Sequence, residues 1–181
     1  MISGVIGGIL AGDCEKNVVW QRMIIIDGNN VLWSVQQMDK NLEPISTVQL
    51  CRIVGRYLKL TGEKGEIIFD GIGPPDKGGF DEISSLEVFF TGRSTDADTV
   101  IETKIKADTS PRRLVVVSSD RRIRKAAHAR KAIPLKSEKF WEEVRRQLSR
   151  KTATAEPIEK EIGLSEGETE QWLKLFDIEE K

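Results

Sequence analysis

The chain has 181 residues, 28 Lys/Arg against 29 Asp/Glu and a formal net charge of −1, which suits one globular domain with a short appendage. Cys14, Cys51 and a lone histidine, His128, exclude a disulfide framework, a Cys/His metal centre and most histidine-based acid–base schemes. Any metal ion here is therefore expected to be a hard cation held by oxygen. The near-neutral balance hides a segregation: Pro111 to Lys151 holds 14 Lys/Arg against 4 Asp/Glu, and Glu156 to Lys181 holds 9 Asp/Glu against 3 Lys. Such asymmetry predicts a polyanion-facing surface followed by an acidic tail.

Residues 1–22 begin MISGVIGGILAG, apolar and glycine-rich but without a basic leader and too short to span a bilayer. They read as a disordered extension, and the chain is expected to be cytoplasmic. The first strand is Met23 to Ile26, and Asp27-Gly28-Asn29-Asn30 then opens a short helix through Val31 to Val35. Trp33 in that helix fits a core position, the preferred reading, or a surface on which a base stacks. Thr47 to Leu60 carries Val48, Cys51, Val54, Tyr57 and Leu58 at helical spacing, with Gly62 as stop signal. Glu66 to Phe69 is a second strand, Gly71 to Ser85 an exposed Gly/Pro-rich loop, and Leu86 to Phe90 a third strand. A helix over Asp96 to Ala107, a strand over Leu114 to Val117 and a short basic helix over Arg121 to Ala129 follow. Then come a weak strand near Ala132 to Leu135 and a helix over Ser137 to Ser149 that places Trp141 in the core. Lys151 to Pro157 reads as a linker, and Leu164 to Phe176 as one small helix with a Ser165/Glu168 capping box. The domain is thus expected over 23–150, with 151–181 as linker and acidic tail. Strands alternating with helices predict an α/β fold with a mostly parallel sheet covered on both faces.

In such sheets ligands bind beyond the carboxyl ends of the strands. Asp27 ends the first strand, Asp70 follows the second and Asp120 follows the fourth. The third leads through Arg93 into a helix carrying Asp96, Asp98 and Glu102, the last two sharing a face. Carboxylates gathered on one rim repel one another, a conflict that a divalent cation relieves while supplying hydrolytic chemistry. Each acid also has a local reading. Thr95 and Asp98 fit a capping box, Asp96 suits the helix dipole, Asp70 an Asx-turn before Gly71, and Asp120 an N-cap. Asp27 is harder to explain locally, because an acid ending a buried strand needs a partner or an ion. Asn29 and Asn30 fit a cap, an orienting role for Asp27 or a phosphate contact.

The strings IIIDGNNVLW, EIIFDG, LEVFFTGRSTDADTVIE and LVVVSSDRRIR, in that order, resemble the NYN branch of PIN-like domains, and within it the YacP-like proteins, over about Met23 to Leu148. The resemblance implies a three-layer α/β/α Rossmann-like sandwich and metal-dependent endoribonuclease activity, on RNA engaged by ribosomes in YacP-like members. It matches Asp27 to the family's first-strand aspartate, Asp98 and Glu102 to its A-D-x-x-I-E segment and Asp120 to its S-D segment. Asp96 has no family counterpart, and Asn29 stands where the family often carries an aromatic residue.

The leading expectation is therefore hydrolysis of RNA at Mg²⁺ or Mn²⁺ held by Asp27, Asp98 and Asp120, with Glu102 assisting. Arg121, Arg122 and Arg124 beside Asp120, together with Arg93, Asn29 and Asn30, would hold flanking phosphates, Lys77 lying on the same rim. The alternative is an RNA- or ribosome-binding protein of the same fold that does not cut; the intact acids disfavour it. A covalent phosphoaspartate at Asp27 is weaker, since residue 29 is Asn, and no Gly-x-Gly-x-x-Gly supports dinucleotide binding.

Overall fold

The computed structural model describes residues 22–38, 44–76, 78–81 and 83–152. Cys14, Lys77, the N-terminal extension and the tail helix of the sequence reading lie outside them. Five strands form one sheet in the order β3-β2-β1-β4-β5: β1 (Met23–Asp27), β2 (Lys64–Phe69), β3 (Leu86–Phe90), β4 (Leu114–Val117) and β5 (Ile133–Leu135). Every pairing is parallel, with Ile25 of β1 opposite Glu66 on one side and Val116 on the other.

The alternation of β1 explains the layering, because successive side chains of a strand face opposite ways. Ile24 and Ile26 pack with α1 (Gly28–Met38), α2 (Thr47–Thr61) and α6 (Ser137–Thr152). Ile25 turns to the other face, beneath α4 (Ala97–Ala107) and α5 (Arg121–Ala129). The result is the three-layer sandwich expected from the strand–helix alternation, with Trp141 1% exposed in its core.

Local differences from the sequence reading have identifiable causes. The Gly71–Ser85 loop contains a single helical turn, α3 (Gly78–Asp81). Helix α2 starts from a cap the reading missed: Ser46 Oγ accepts from the Gln49 N–H and Gln49 Oε1 accepts from the Ser46 N–H, a reciprocal capping box. Helix α6 continues through Arg150 to Thr152, into the expected linker, because no breaker precedes residue 152. Helix α4 is capped by Asp96, whose carboxylate accepts from the Thr99 N–H at 2.6 Å, and not by Thr95 as the capping-box reading held. The preferred core reading of Trp33 is also corrected, which leaves the stacking reading standing. Helix α1 buries Gly28, Val31, Ser34 and Val35; residue 33 lies two positions from both valines, about 200° around the helix, and is 58% exposed.

Candidate active site at the sheet switch point

Strands β1, β2 and β3 run to one side of the sheet, and the chain then crosses back to lay β4 against the other side of β1. The crevice between β1 and β4 is therefore the topological switch point, where an open parallel sheet binds ligands. Asp27 stands there, 6% exposed. Its Oδ1 accepts from the Asn30 N–H at 3.0 Å and its Oδ2 from the Ser118 hydroxyl at 2.9 Å. Ser118 Oγ in turn accepts from the Asp120 N–H at 3.0 Å, so one hydroxyl ties the two strand-end acids together.

A polar network extends from this point. Asn30 Oδ1 accepts from the Ser119 N–H at 2.9 Å and the Ser137 hydroxyl at 2.7 Å. Ser119 Oγ accepts from the Ser137 N–H at 3.1 Å and donates to Glu138 Oε2 at 2.7 Å. That hydroxyl holds the Glu138 carboxyl below its ordinary range. The amide oxygen of Asn30, expected near RNA, is thus engaged in joining α1 to the β4 loop and α6. Ser118, Ser119, Ser137 and Glu138 escaped sequence reasoning. Their one visible signal was a serine pair immediately before an acid at a strand end.

On the other flank, Asp70 does not form the expected Asx-turn. Its Oδ1 accepts from the Ala97 N–H at 2.7 Å, at the start of α4, and its Oδ2 from the Asn29 amide at 3.1 Å. Gly71 and Gly92, at φ of 86° and 76°, bridge the loops after β2 and β3, a backbone region only glycine enters without strain. Between these loops and α4 lies an open cleft of about 540 Å³ lined by Asp70, Arg93, Ser94, Asp96 and Thr99. Arg93, read as a phosphate contact, is exposed there.

Asp98 is half-buried in the first turn of α4. Burial raises the pKa of Asp27 above its ordinary value; the Asn30 N–H and the Ser118 hydroxyl oppose that rise, and the charges of Asp98 and Asp70 add to it. Burial also raises Asp98, and the charge of Asp120 adds to it. Asp120 Oδ1 caps α5, accepting from Arg122 N–H at 2.6 Å and Ile123 N–H at 3.3 Å. Arg122 turns back toward α4: its Nε lies 2.6 Å from Glu102 Oε1 and its Nη1 3.9 Å from Asp98 Oδ2. Arg121 is exposed and Arg124 half-buried on the same helix. Of the four acids expected at the site, Asp27 ends β1, Asp120 caps α5 after β4, and Asp98 and Glu102 lie on α4. The charge of Asp98 acts on Asp27 and that of Asp120 on Asp98, but among the described residues no three His, Cys, Asp or Glu side chains form a metal-ligand cluster. Two of the four, Asp98 and Glu102, meet Arg122 instead. The donor chemistry suits a hard cation, since every candidate is a carboxylate oxygen.

Residues 24–176 match the family model of the YacP-like NYN domain. The chain belongs to that family. The fold agrees with those of two solved YacP structures, both Rae1 (YacP) from Bacillus subtilis. One is 22% identical, covers 86% of this chain and 92% of that chain, and has a TM-score of 0.61. The other, a tryptophan-to-leucine variant, is 20% identical, covers 87% and 98%, and has a TM-score of 0.55. No curated protein sequence matches the chain. The NYN domain is a nuclease-type fold. Among the described residues no helix is long and apolar enough to cross a membrane.

Proposed function

We propose that this chain is an endoribonuclease that hydrolyses RNA phosphodiesters with Mg²⁺ or Mn²⁺ at the rim of Asp27, Asp98 and Asp120. The observation that carries this reading is electrostatic. Asp27 on β1 and Asp98 on α4 are both held above their ordinary pKa by burial, each with a neighbouring acid adding to the rise. Core packing requires no such gathering of like charge, and a divalent cation would relieve it. Asp27, Asp98 and Asp120 would hold the ion, with Glu102 assisting once Arg122 releases it. When bound, such an ion lowers the pKa of a water and neutralises charge growing on a phosphodiester. The protein's own groups fix the rest. Ser118 and the Asn30 N–H orient Asp27, and Arg93, Arg121, Arg122 and Arg124 offer cations to flanking phosphates. RNA engaged by ribosomes in the cytoplasm is the substrate the family likeness suggests.

The test is cleavage of end-labelled RNA by the purified chain with Mn²⁺, Mg²⁺ or EDTA, with and without ribosomes, beside an Asp27→Asn/Asp120→Asn variant. Cutting is expected only with metal and only in the wild type. One observation favours the alternative of an RNA- or ribosome-binding protein that does not cut: Arg122 neutralises Glu102 and Asp98 where a cation would otherwise be needed. A folded wild type that binds RNA and never cleaves it decides for that alternative.

A further inference from the structure

Helix α1 starts at the residue after Asp27 and carries GNNVLWSVQQM, with no charged side chain, in a chain that is 31% charged. Its buried side faces the core through Val31 and Val35. Its solvent side presents Asn29, Trp33, Gln36 and Gln37, all exposed and all within one turn of the indole, at i−4, i+3 and i+4 from Trp33. The Asn29 amide reaches Asp70, so this face is continuous with the acid rim. We propose that Trp33 is a base-stacking platform for single-stranded RNA, seating a nucleotide beside the one held at the acids. This assignment rests on the RNA substrate proposed above.

The chemistry of the face selects the occupant. An RNA backbone would call for cations, and α1 has none. An apolar protein surface would bury Asn29, Gln36 and Gln37 against groups that cannot bond them. An unstacked base satisfies both parts, since its π-face lies on the indole and its edges carry the donors and acceptors that amides match. Geometry suits the step as well. From Gly28 to Trp33 is five residues, about 8 Å along the helix axis, so neighbouring nucleotides of one strand can reach the acids and the indole together. The platform is also rigidly tied to Asp27. A Cβ on Gly28 would run into the Phe69 ring, so the helix start is seated directly on β2. Base faces are covered in a duplex, and the platform therefore selects single strands.

The experiment measures binding of a short single-stranded oligoribonucleotide by the full chain carrying Asp27→Asn, which separates affinity from cutting. Abasic sites are placed at successive positions of the oligonucleotide. One or two adjacent positions should weaken binding about tenfold. Adding Trp33→Ala should weaken the intact oligonucleotide by a similar factor and abolish sensitivity at those positions, while Trp33→Phe retains most of both. Thermal melts of each variant should coincide, because the side chain is exposed. Unchanged affinity in Trp33→Ala, a weakened variant that keeps the same abasic sensitivity, or no binding of single strands by the parent protein overturns the assignment. Unchanged affinity would return the indole to a protein partner. Trp33-dependent stacking in a chain that never cuts would sink the nuclease reading alone; cutting by Trp33→Ala at unchanged KM would sink the platform alone.

Discussion

Replacing Ser118 by alanine probes the join between the two halves of the sheet. The hydroxyl is fully buried, donates to Asp27 Oδ2 at 2.9 Å and accepts from the Asp120 N–H at 3.0 Å. A hydrogen bond to a carboxylate contributes about 1.5–3 kcal/mol, and stranding a half-buried amide adds roughly 1 kcal/mol. The variant should therefore be less stable by about 3 kcal/mol, lowering the urea midpoint by about 1.5 M at a slope near 2 kcal/mol/M. A double-mutant cycle with Asp27→Asn isolates the pair and should return a coupling of about 1.5 kcal/mol. Titration of Asp27 followed by carboxyl NMR supplies a second reading. Burial already raises this acid above 3.8 and the Ser118 hydroxyl opposes the rise, so Ser118→Ala should raise it further. Because the unfolded acid ionises first, stability falls as pH climbs from 3.8 to the raised value and then levels off. In the variant that fall should extend to higher pH. A coupling below about 0.5 kcal/mol, or an Asp27 titration that stays put or drops, refutes the reasoning.

Three further outcomes follow from the same geometry. Arg122→Gln removes the guanidinium that opposes the raised pKa of Asp98, so NMR should show Asp98 titrating higher still, with the fold intact. Gly28→Ala sets a methyl against the Phe69 ring, itself 2% exposed and stacked on Phe90; thermal melts should show a loss of about 1–3 kcal/mol, relieved by Phe69→Leu. Tyr57, pushed up from 10.0 to about 12 by burial and then by Glu63, and Cys51, pushed by burial from 9.0 to about 12, are both acids kept neutral in the fold. Stability should consequently decline from about pH 9–10 toward 12, less steeply in Tyr57→Phe, and Cys51 should resist thiol reagents until the protein unfolds.

The legible part of the site was the part written locally. Asp27, Asp120 and the Asp98/Glu102 pair stand at strand ends or on one helix face, positions that hydrophobic runs and helical spacing mark directly. Asp70 was misread, and the side-chain partners of Asn30 and the role of Ser118 were missed, because those partners lie far along the chain. Asp70 reaches Ala97, Asn30 reaches Ser137 and Ser118 reaches Asp27, across 27, 107 and 91 residues. Trp33 was misplaced for a related reason: an aromatic residue is consistent with either side of a short helix until the angular position of Val31 and Val35 shows which side is buried.

The sequence by itself determined the alternation of strands and helices, the parallel sheet it implies and the strand ends at which acids stand, because each follows from side-chain periodicity over a few residues. Only the tertiary structure decided the strand order that sets β4 beside β1, the hydroxyl linking Asp27 to Asp120, and the turning of Arg122 onto Glu102 and Asp98. Those depend on which distant segments become neighbours. Packing of the whole chain settles that, since burying one face of every element leaves the remaining polar groups to satisfy one another wherever the fold brings them together.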